Sequence, residues 1–570
     1  MQVSRRLLYK LLLVTLSALC AAEKASAQPI QNYFIGFKDK ASTPYSLDQP
    51  SAFLSERAIE RRTRQQIALN DQDLPVDPSY IQQVQATGVE LLNRSKWLNG
   101  ITVRIADTNQ IASTLQAIAS LSFVNSTTAI KRLANANNQA QVSDKLAIPV
   151  LRIAEGNSSE SSDYGYGYNQ IHMLNGDYLH QQGFRGKGIQ IAVLDAGFKN
   201  ANQIRAFDSI RTRGQILATH DFVVGDDEVY SDDQHGCCVL SSIACILPGE
   251  LIGTAPDANF YLLRSEDNAS EHLIEEYNWV SAAEYADSAG ADIISSSLGY
   301  SIFDGSGPSH TYADLDGKTT PVTQGAEAAF ARGMLVVNSA GNEGSGNWRY
   351  IIAPANGDHV MAVGAVDSAG VKANFSSFGP ASDGALKPDV ATQGKGTWLA
   401  DPFGNIFAGN GTSFACPILA GMAACLWQAA PKATNSQIKQ AIEQSATQAT
   451  APDFALGNGI PDFAKALYYL RDKQQPDFDK DRILGVYGNP FRTSFAVNFY
   501  SHAAQTIALN MIDIMGRSVL HYEKTLQADS FNQLMLPEAG QEQQLASGIY
   551  YLRILTSTDD YLLKVLKLNN

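Results

Sequence analysis

Between about residues 166 and 470, short apolar runs alternate with segments of helical period, and this alternation constrains the fold more than any other feature. The runs 189–194, 260–263, 293–296, 334–338 and 360–366 read as strands, and 236–246, 270–288, 324–332, 414–429 and 436–445 as helices. Strands that are apolar throughout and separated by helices need cover on both faces. That predicts an α/β unit with a mostly parallel sheet flanked by helices. In such sheets functional groups gather at the carboxyl ends of the strands.

The flanks follow other patterns. Residues 28–140 read as a small α+β unit with strands at 33–37, 89–92 and 101–105 and helices at 53–66, 80–86 and 111–120. The 53–66 helix carries Glu56, Arg57, Glu60, Arg61, Arg62 and Arg64, and the interleaved signs predict a solvated face. Residues 141–165 are polar and read as an exposed linker, where a protease would cut. From 478 to 570 short alternating strands at 495–499, 506–514, 548–554 and 561–568 predict a β-sandwich.

Composition narrows the function. With 45% hydrophobic and 18% charged residues this is a globular chain, and a formal net charge of −14 argues against a nucleic-acid partner. Arg5, Arg6 and Lys10 precede a short apolar core at 11–22, and Ala25-Ser26-Ala27 offers a small-residue cleavage site. Residues 1–27 therefore read as a bacterial export signal, too short for a membrane span. Leu19 before Cys20 is larger than lipoprotein processing normally takes. Removing this segment leaves Cys237, Cys238, Cys245, Cys416 and Cys425, an odd number with no two-residue gap of the zinc type.

Four residues could carry chemistry. Asp195 ends the 189–194 run, where a carboxylate can orient an imidazole. His235 opens a helix beside Gly236, which permits close approach. Asn342 follows the 334–338 run, and its amide can donate to an oxyanion. Ser413 opens an apolar helix, where backbone N–H groups lie unpaired and the dipole is positive. Read singly, each has a structural explanation: turn aspartate, helix-start histidine, Gly-Asn turn and helix N-cap. Read together, in the order Asp, His, Ser, they make one nucleophilic site.

At this point the chain resembles the subtilisin-family serine proteases, or subtilases, over about 300 residues. The matching strings are Ala192-Val-Leu-Asp-Ala-Gly197, His235-Gly236 with Val239, Ser297-Leu-Gly299, Ala340-Gly-Asn-Glu-Gly344 and Gly411-Thr-Ser-Phe-Ala-Cys-Pro417. The resemblance implies Ser413 as nucleophile, His235 as its base, Asp195 as the orienting acid and Asn342 as oxyanion donor. It implies that Ser297, Leu298 and Gly299 pair with the substrate backbone. Phe414 stands where the family often has methionine, and Cys237 where it has threonine. Because the family packs the two helices together, the resemblance implies a disulfide from Cys237 or Cys238 to Cys416, with Cys245 and Cys425 as a further pair.

The flanks resemble family partners too. The 28–140 unit is similar to the propeptide that inhibits and chaperones subtilases. The last domain resembles type IX secretion sorting domains through Tyr487-Gly-Asn-Pro-Phe491, Asp513-Ile-Met-Gly-Arg517 and Ser547-Gly-Ile-Tyr-Tyr-Leu-Arg553. These imply peptide substrates, the chain's own propeptide and outer-membrane secretion machinery as partners, and a secreted or surface location. No cofactor is required; calcium stays open as a structural ion, with the acidic loop 226–233 as its candidate holder. An α/β-hydrolase is disfavoured because Ala415 replaces the second glycine of Gly-x-Ser-x-Gly and the order of residues is reversed. A sedolisin-like peptidase would carry glutamate at 235, and Gly183-Phe-Arg-Gly-Lys-Gly188 has the wrong spacing for a dinucleotide. The remaining rival is a catalytically silent surface adhesin.

Overall fold

The computed structural model describes residues 31–131, 150–151, 163–304, 309–472, 481–487, 489–528, 530–538, 541 and 545–568. The export-signal reading of residues 1–27 and most of the 141–165 linker lie outside them. Within that linker, Val150–Leu151 adds a short strand to the edge of Ile406–Asn410.

The central sheet has seven strands, in spatial order Val390–Gln393, Met361–Val366, Leu335–Ser339, Ile293–Ser296, Gln190–Asp195, Asn259–Arg264 and Ile216–Asp221. All its pairings are parallel. Side chains alternate between two apolar layers. Ile191, Val193, Ile293 and Val337 join the helices His235–Ala244 and Thr412–Ala429 on one face. Ala192, Leu194, Ile294 and Val336 join Ile274–Ala289 and Pro321–Ala331 on the other. Thr412–Ala429 is apolar all round because it is buried all round, not because it meets lipid.

After Gln190–Asp195 the chain goes to the edge strand Ile216–Asp221, returns to Asn259–Arg264 in between, and then crosses to build outward on the other side. The order thus reverses at that strand, and a crevice opens at its carboxyl end, beside Ser296. Topology therefore places the site before any side chain is considered.

The N-terminal unit is an antiparallel sheet of Gln31–Phe37, Glu90–Ser95, Gly100–Ile105 and Val124–Lys131. It packs on Ile274–Ala289: Phe34 stacks on Tyr277 at 4.5 Å, and Trp97 is buried in the layer containing Leu194 and Ile294. The arginine-bearing helix, Glu56–Gln65, departs from its sequence reading. Arg61 and Arg62 are buried, not solvated, and both pair with Asp287 of Ile274–Ala289. Lys96 Nζ reaches the same carboxylate at 2.8 Å, while Arg332 of the catalytic unit pairs with Asp73 at 3.0 Å. The alternating charges do solvate part of this helix, but its inner face meets a carboxylate more than two hundred residues away in the chain.

The C-terminal unit is a sandwich of a three-stranded and a four-stranded antiparallel sheet. Phe495, Val497, Ile507, Leu509, Leu552 and Val565 fill the space between them.

Candidate active site

Asp195 terminates its strand with its side chain fully buried. One oxygen, Oδ1, accepts from the following Ala196 N–H and sits 2.8 Å from His235 Nδ1. His235 begins its helix, and its own N–H donates to Asp233 Oδ1 at 2.7 Å. The close approach depends on Gly236. A Cβ there would lie 2.3 Å from Gly197 O and 2.9 Å from Asp195 Cβ, both rigid neighbours.

Burial opposes protonation of His235, but the Asp195 carboxylate at hydrogen-bond distance outweighs it, with Asp233 and Glu266 adding to the effect. The imidazole is therefore held above its ordinary value.

Ser413 lies in the first turn of Thr412–Ala429. It is no cap: Gly411 occupies that position without a side-chain bond, and Ser413 Oγ donates to Ser297 O at 3.3 Å. Ser297 Oγ in turn donates to the Ser413 carbonyl at 2.7 Å. This reciprocal pair ties the start of Thr412–Ala429 to the segment after Ile293–Ser296. The ring of Phe414 lies 5.8 Å from that of His235, so the side chain after the serine walls the histidine.

Asn342 comes from the loop after Leu335–Ser339. Its Oδ1 accepts from the Thr412 backbone N–H at 2.9 Å and from Thr412 Oγ1 at 3.0 Å. A backbone N–H can only donate, which fixes the amide's orientation and turns Nδ2 away from Thr412. Thr412 is a residue the sequence reading passed over; its place beside Ser413 was the only hint.

The structure thus brings Asp195, His235, Ser413, Asn342 and Ser297 to one end of the sheet. A cavity of about 380 Å³ opens there, lined by Ser297, Leu298, Gly299, Asn342 and Ser413 among others. Its wall also holds Glu266, Glu271, Asp304 and Glu343, which the sequence reading left without a role.

The expected disulfides are absent. Cys237, Cys238, Cys245, Cys416 and Cys425 are all free, buried thiols. The two helices do pack together, but three of the sulfurs donate to carbonyls. Cys416 Sγ donates to Ser296 O at 3.3 Å, Cys425 Sγ to Thr254 O at 3.1 Å and Cys245 Sγ to Leu251 O at 3.3 Å. Burial pushes the Cys416 and Cys245 thiols up to about 12, so they stay protonated and inert.

Carboxylates of the loop 226–233 are engaged by groups of the protein itself. Asp226 and Glu228 accept from backbone N–H groups two residues on, Asp227 pairs with His220, and Asp232 with Arg264. Among the described residues, the group of three carboxylates whose oxygens lie within 4.8 Å of one another is Glu266, Glu271 and Glu275, not this loop.

Comparison with known proteins agrees with this geometry. Residues 186–459 match the Subtilase family, 32–145 the Peptidase S8 propeptide domain of Bacteroidota, and 485–567 the Secretion system C-terminal sorting domain. Subtilisin NAT of Bacillus subtilis subsp. natto is 31% identical over 299 residues, which are 52% of this chain and 69% of that protein. Subtilisin of Bacillus pumilus is also 31% identical over 299 residues, 52% of this chain and 95% of that one. A thermostable alkaline protease of Halalkalibacterium halodurans is 30% identical over 292 residues, covering 51% and 70%. On these matches and the sheet, helices and crevice described above, the chain belongs to the subtilase family: it is a subtilisin-like serine endopeptidase with its own propeptide domain and a C-terminal secretion sorting domain.

Proposed function

We propose that the protein hydrolyses peptide bonds through an acyl-enzyme on Ser413. His235 takes the Ser413 hydroxyl proton as the oxygen attacks the scissile carbonyl, then delivers it to the leaving amine. Asp195 holds the Nδ1–H tautomer, leaving Nε2 as the basic nitrogen, and stabilises the imidazolium as it forms. Asn342 Nδ2 and the Ser413 backbone N–H hold the oxyanion, at the positive end of a long buried helix. Ser297, Leu298 and Gly299 align the substrate backbone as an added strand. Water then repeats the sequence on the acyl-enzyme.

The observation that carries this reading is the 2.8 Å bond between His235 Nδ1 and the buried Asp195 carboxylate, since it sets tautomer and ring orientation together. No cofactor takes part in these steps; calcium is proposed only as a structural ion and no step passes through it. The N-terminal unit serves as intramolecular chaperone and inhibitor until it is cut away. The C-terminal domain hands the protein to type IX secretion machinery, which delivers it outside the cell or to its surface. Fluorophosphonate labelling of the processed protein tests the central claim: wild type labels at Ser413 and Ser413→Ala does not. Absence of labelling in wild type sinks it.

A further inference from the structure

The buried side of Glu56–Gln65 does more than meet Asp287. Arg57, Arg61 and Gln65 follow one another at intervals of four and so share one face of the helix. Each of them bridges two neighbouring turns at the amino edge of the central sheet. Arg57 donates to Gly188 O at 2.7 Å and to Gly290 O at 3.1 Å, in the turns before Gln190–Asp195 and Ile293–Ser296. Arg61 donates to Ala291 O and, at 3.1 Å, to Arg332 O, in the turns before Ile293–Ser296 and Leu335–Ser339. Gln65 Nε2 donates to Gly333 O at 2.7 Å, and its Oε1 accepts from Asn435 N at 2.9 Å. That last pair joins the turn before Leu335–Ser339 to the start of the helix Asn435–Ser445.

The three strands that follow these turns are adjacent in the sheet, and their first residues are aligned. Ile293 lies beside Ile191 on one side and beside Leu335 on the other, and all three enter the same apolar layer. A slip of one residue in any of these strands would send its side chains to the opposite face. Four helical residues rise about 6 Å and neighbouring strands lie about 4.8 Å apart, so successive rungs of the helix fall close to successive strand gaps. The turns are shaped for this approach. Gly290 and Gly333 have φ of 101° and 87°. A Cβ on Gly290 would lie 2.8 Å from Arg57 Cβ, and one on Gly333 would lie 2.7 Å from Gln65 Nε2.

We propose that the face bearing Arg57, Arg61 and Gln65 is a register template, which gathers the entry turns of the three central strands before their pairing is complete. That pairing is non-local: the bond from Gln190 N to Asp292 Oδ2 at the start of two of these strands spans 102 residues of chain. Parallel pairing of this kind is slow, because loop closure must precede the gain from contacts. The inference rests on the chaperone role proposed above for the N-terminal unit and gives that role a location. It also separates the role from inhibition. The template meets the amino ends of the strands, whereas Asp195, Ser297 and Asn342 lie at or beyond the carboxyl ends, one strand length or about 20 Å away.

The test follows refolding and unfolding of the full chain in urea by tryptophan fluorescence, with Ser413→Ala as parent to exclude self-cleavage. Arg57→Ala and, separately, Gln65→Ala refold roughly tenfold more slowly than the parent, while their unfolding rates stay within about twofold of it. Phe34→Leu, at the stacked contact of the same unit with Tyr277, instead speeds unfolding and leaves refolding unchanged. If Gln65→Ala does not fold, the more exposed Arg57→Ala decides. Normal refolding with faster unfolding in the template variants means that these contacts form after the barrier, and overturns the proposal. Unchanged rates in both directions overturn it too, as does equal slowing in Phe34→Leu, which would spread the effect over the whole interface. The chaperone role is read separately, on the parent chain cut in the 141–165 linker and freed of its N-terminal unit. Refolding of that enzyme as fast as the uncut chain refutes the chaperone role itself; slow refolding there, with normal refolding of both template variants, refutes the template alone.

Discussion

His235 Nδ1 lies 2.8 Å from Asp195 Oδ1, while the other carboxylate oxygen, Oδ2, is buried with no hydrogen-bond partner. The carboxylate's hydrogen bonds therefore run through one oxygen, to one ring nitrogen and one backbone N–H. Asp195→Asn keeps the shape but presents no carboxylate to that nitrogen, and favours the wrong tautomer. We expect kcat to fall by about four orders of magnitude with the fold intact. Stopped assays with active-site titration and circular dichroism check this; a loss under tenfold is incompatible with the role.

The pH profile follows from the same pair. Below its pKa, His235 is charged and cannot accept the Ser413 proton. Its pKa is raised above 6.5, so activity is lost on acidification at a higher pH than an isolated histidine would give, and is regained as pH rises through that value. In kcat/KM against pH the acid limb of wild type lies above 6.5, and in Asp195→Asn it moves down.

Gly236→Ala tests the packing that makes the bond possible. The added methyl would sit 2.3 Å from Gly197 O, so the histidine helix must shift away from Asp195. Small displacements of this kind cost about a hundredfold in rate. The expected signature is a lower kcat with little change in KM, and a His235 pKa returned toward the ordinary value.

Asp287 is the anchor of the propeptide. Burial works against its charge, but Lys96, Arg61 and Arg62 outweigh it and hold the carboxyl far below the usual range. Asp287→Ala leaves Arg61 and Lys96 without their carboxylate and Arg62 with Asp73 alone, at a cost of about 3–5 kcal/mol. The cleaved propeptide should then separate from the enzyme at lower urea than in wild type, measured by size exclusion after processing. Because the pKa is depressed, this contribution is fully present above 3.8 and is lost only as pH falls below it through the lower bound-state value. Mild acid therefore does not loosen this contact.

The free thiols make a fifth prediction. Reductant leaves activity and thermal midpoint unchanged, and a non-reduced digest shows all five cysteines unpaired. Alkylation at neutral pH proceeds only once the fold is opened.

The candidate catalytic residues were legible because each sits at an element boundary that local pattern reveals: the end of an apolar run for Asp195 and Asn342, the start of a helix for His235 and Ser413. What escaped was pairing between distant segments. Arg61 and Arg62 have the composition of a wet helix face, and nothing near them announces Asp287. Cys416 lies on a helix that does face the histidine's helix, yet its sulfur direction depends on where in the turn it falls, and it meets Ser296 O instead. Thr412 and Glu343 were visible only as neighbours of residues already assigned. Sequence shows which residues end an element; three-dimensional packing decides which of them meet.

Trp97 belongs by sequence to the N-terminal unit, but it is packed into the same apolar layer as Leu194 and Ile294 of the catalytic sheet. A residue of the first unit thus helps to complete the core of the second. On the chaperone role proposed above, an enzyme that has lost the N-terminal unit keeps a shape it no longer reaches unaided, and its lifetime is set by the height of the barrier to unfolding.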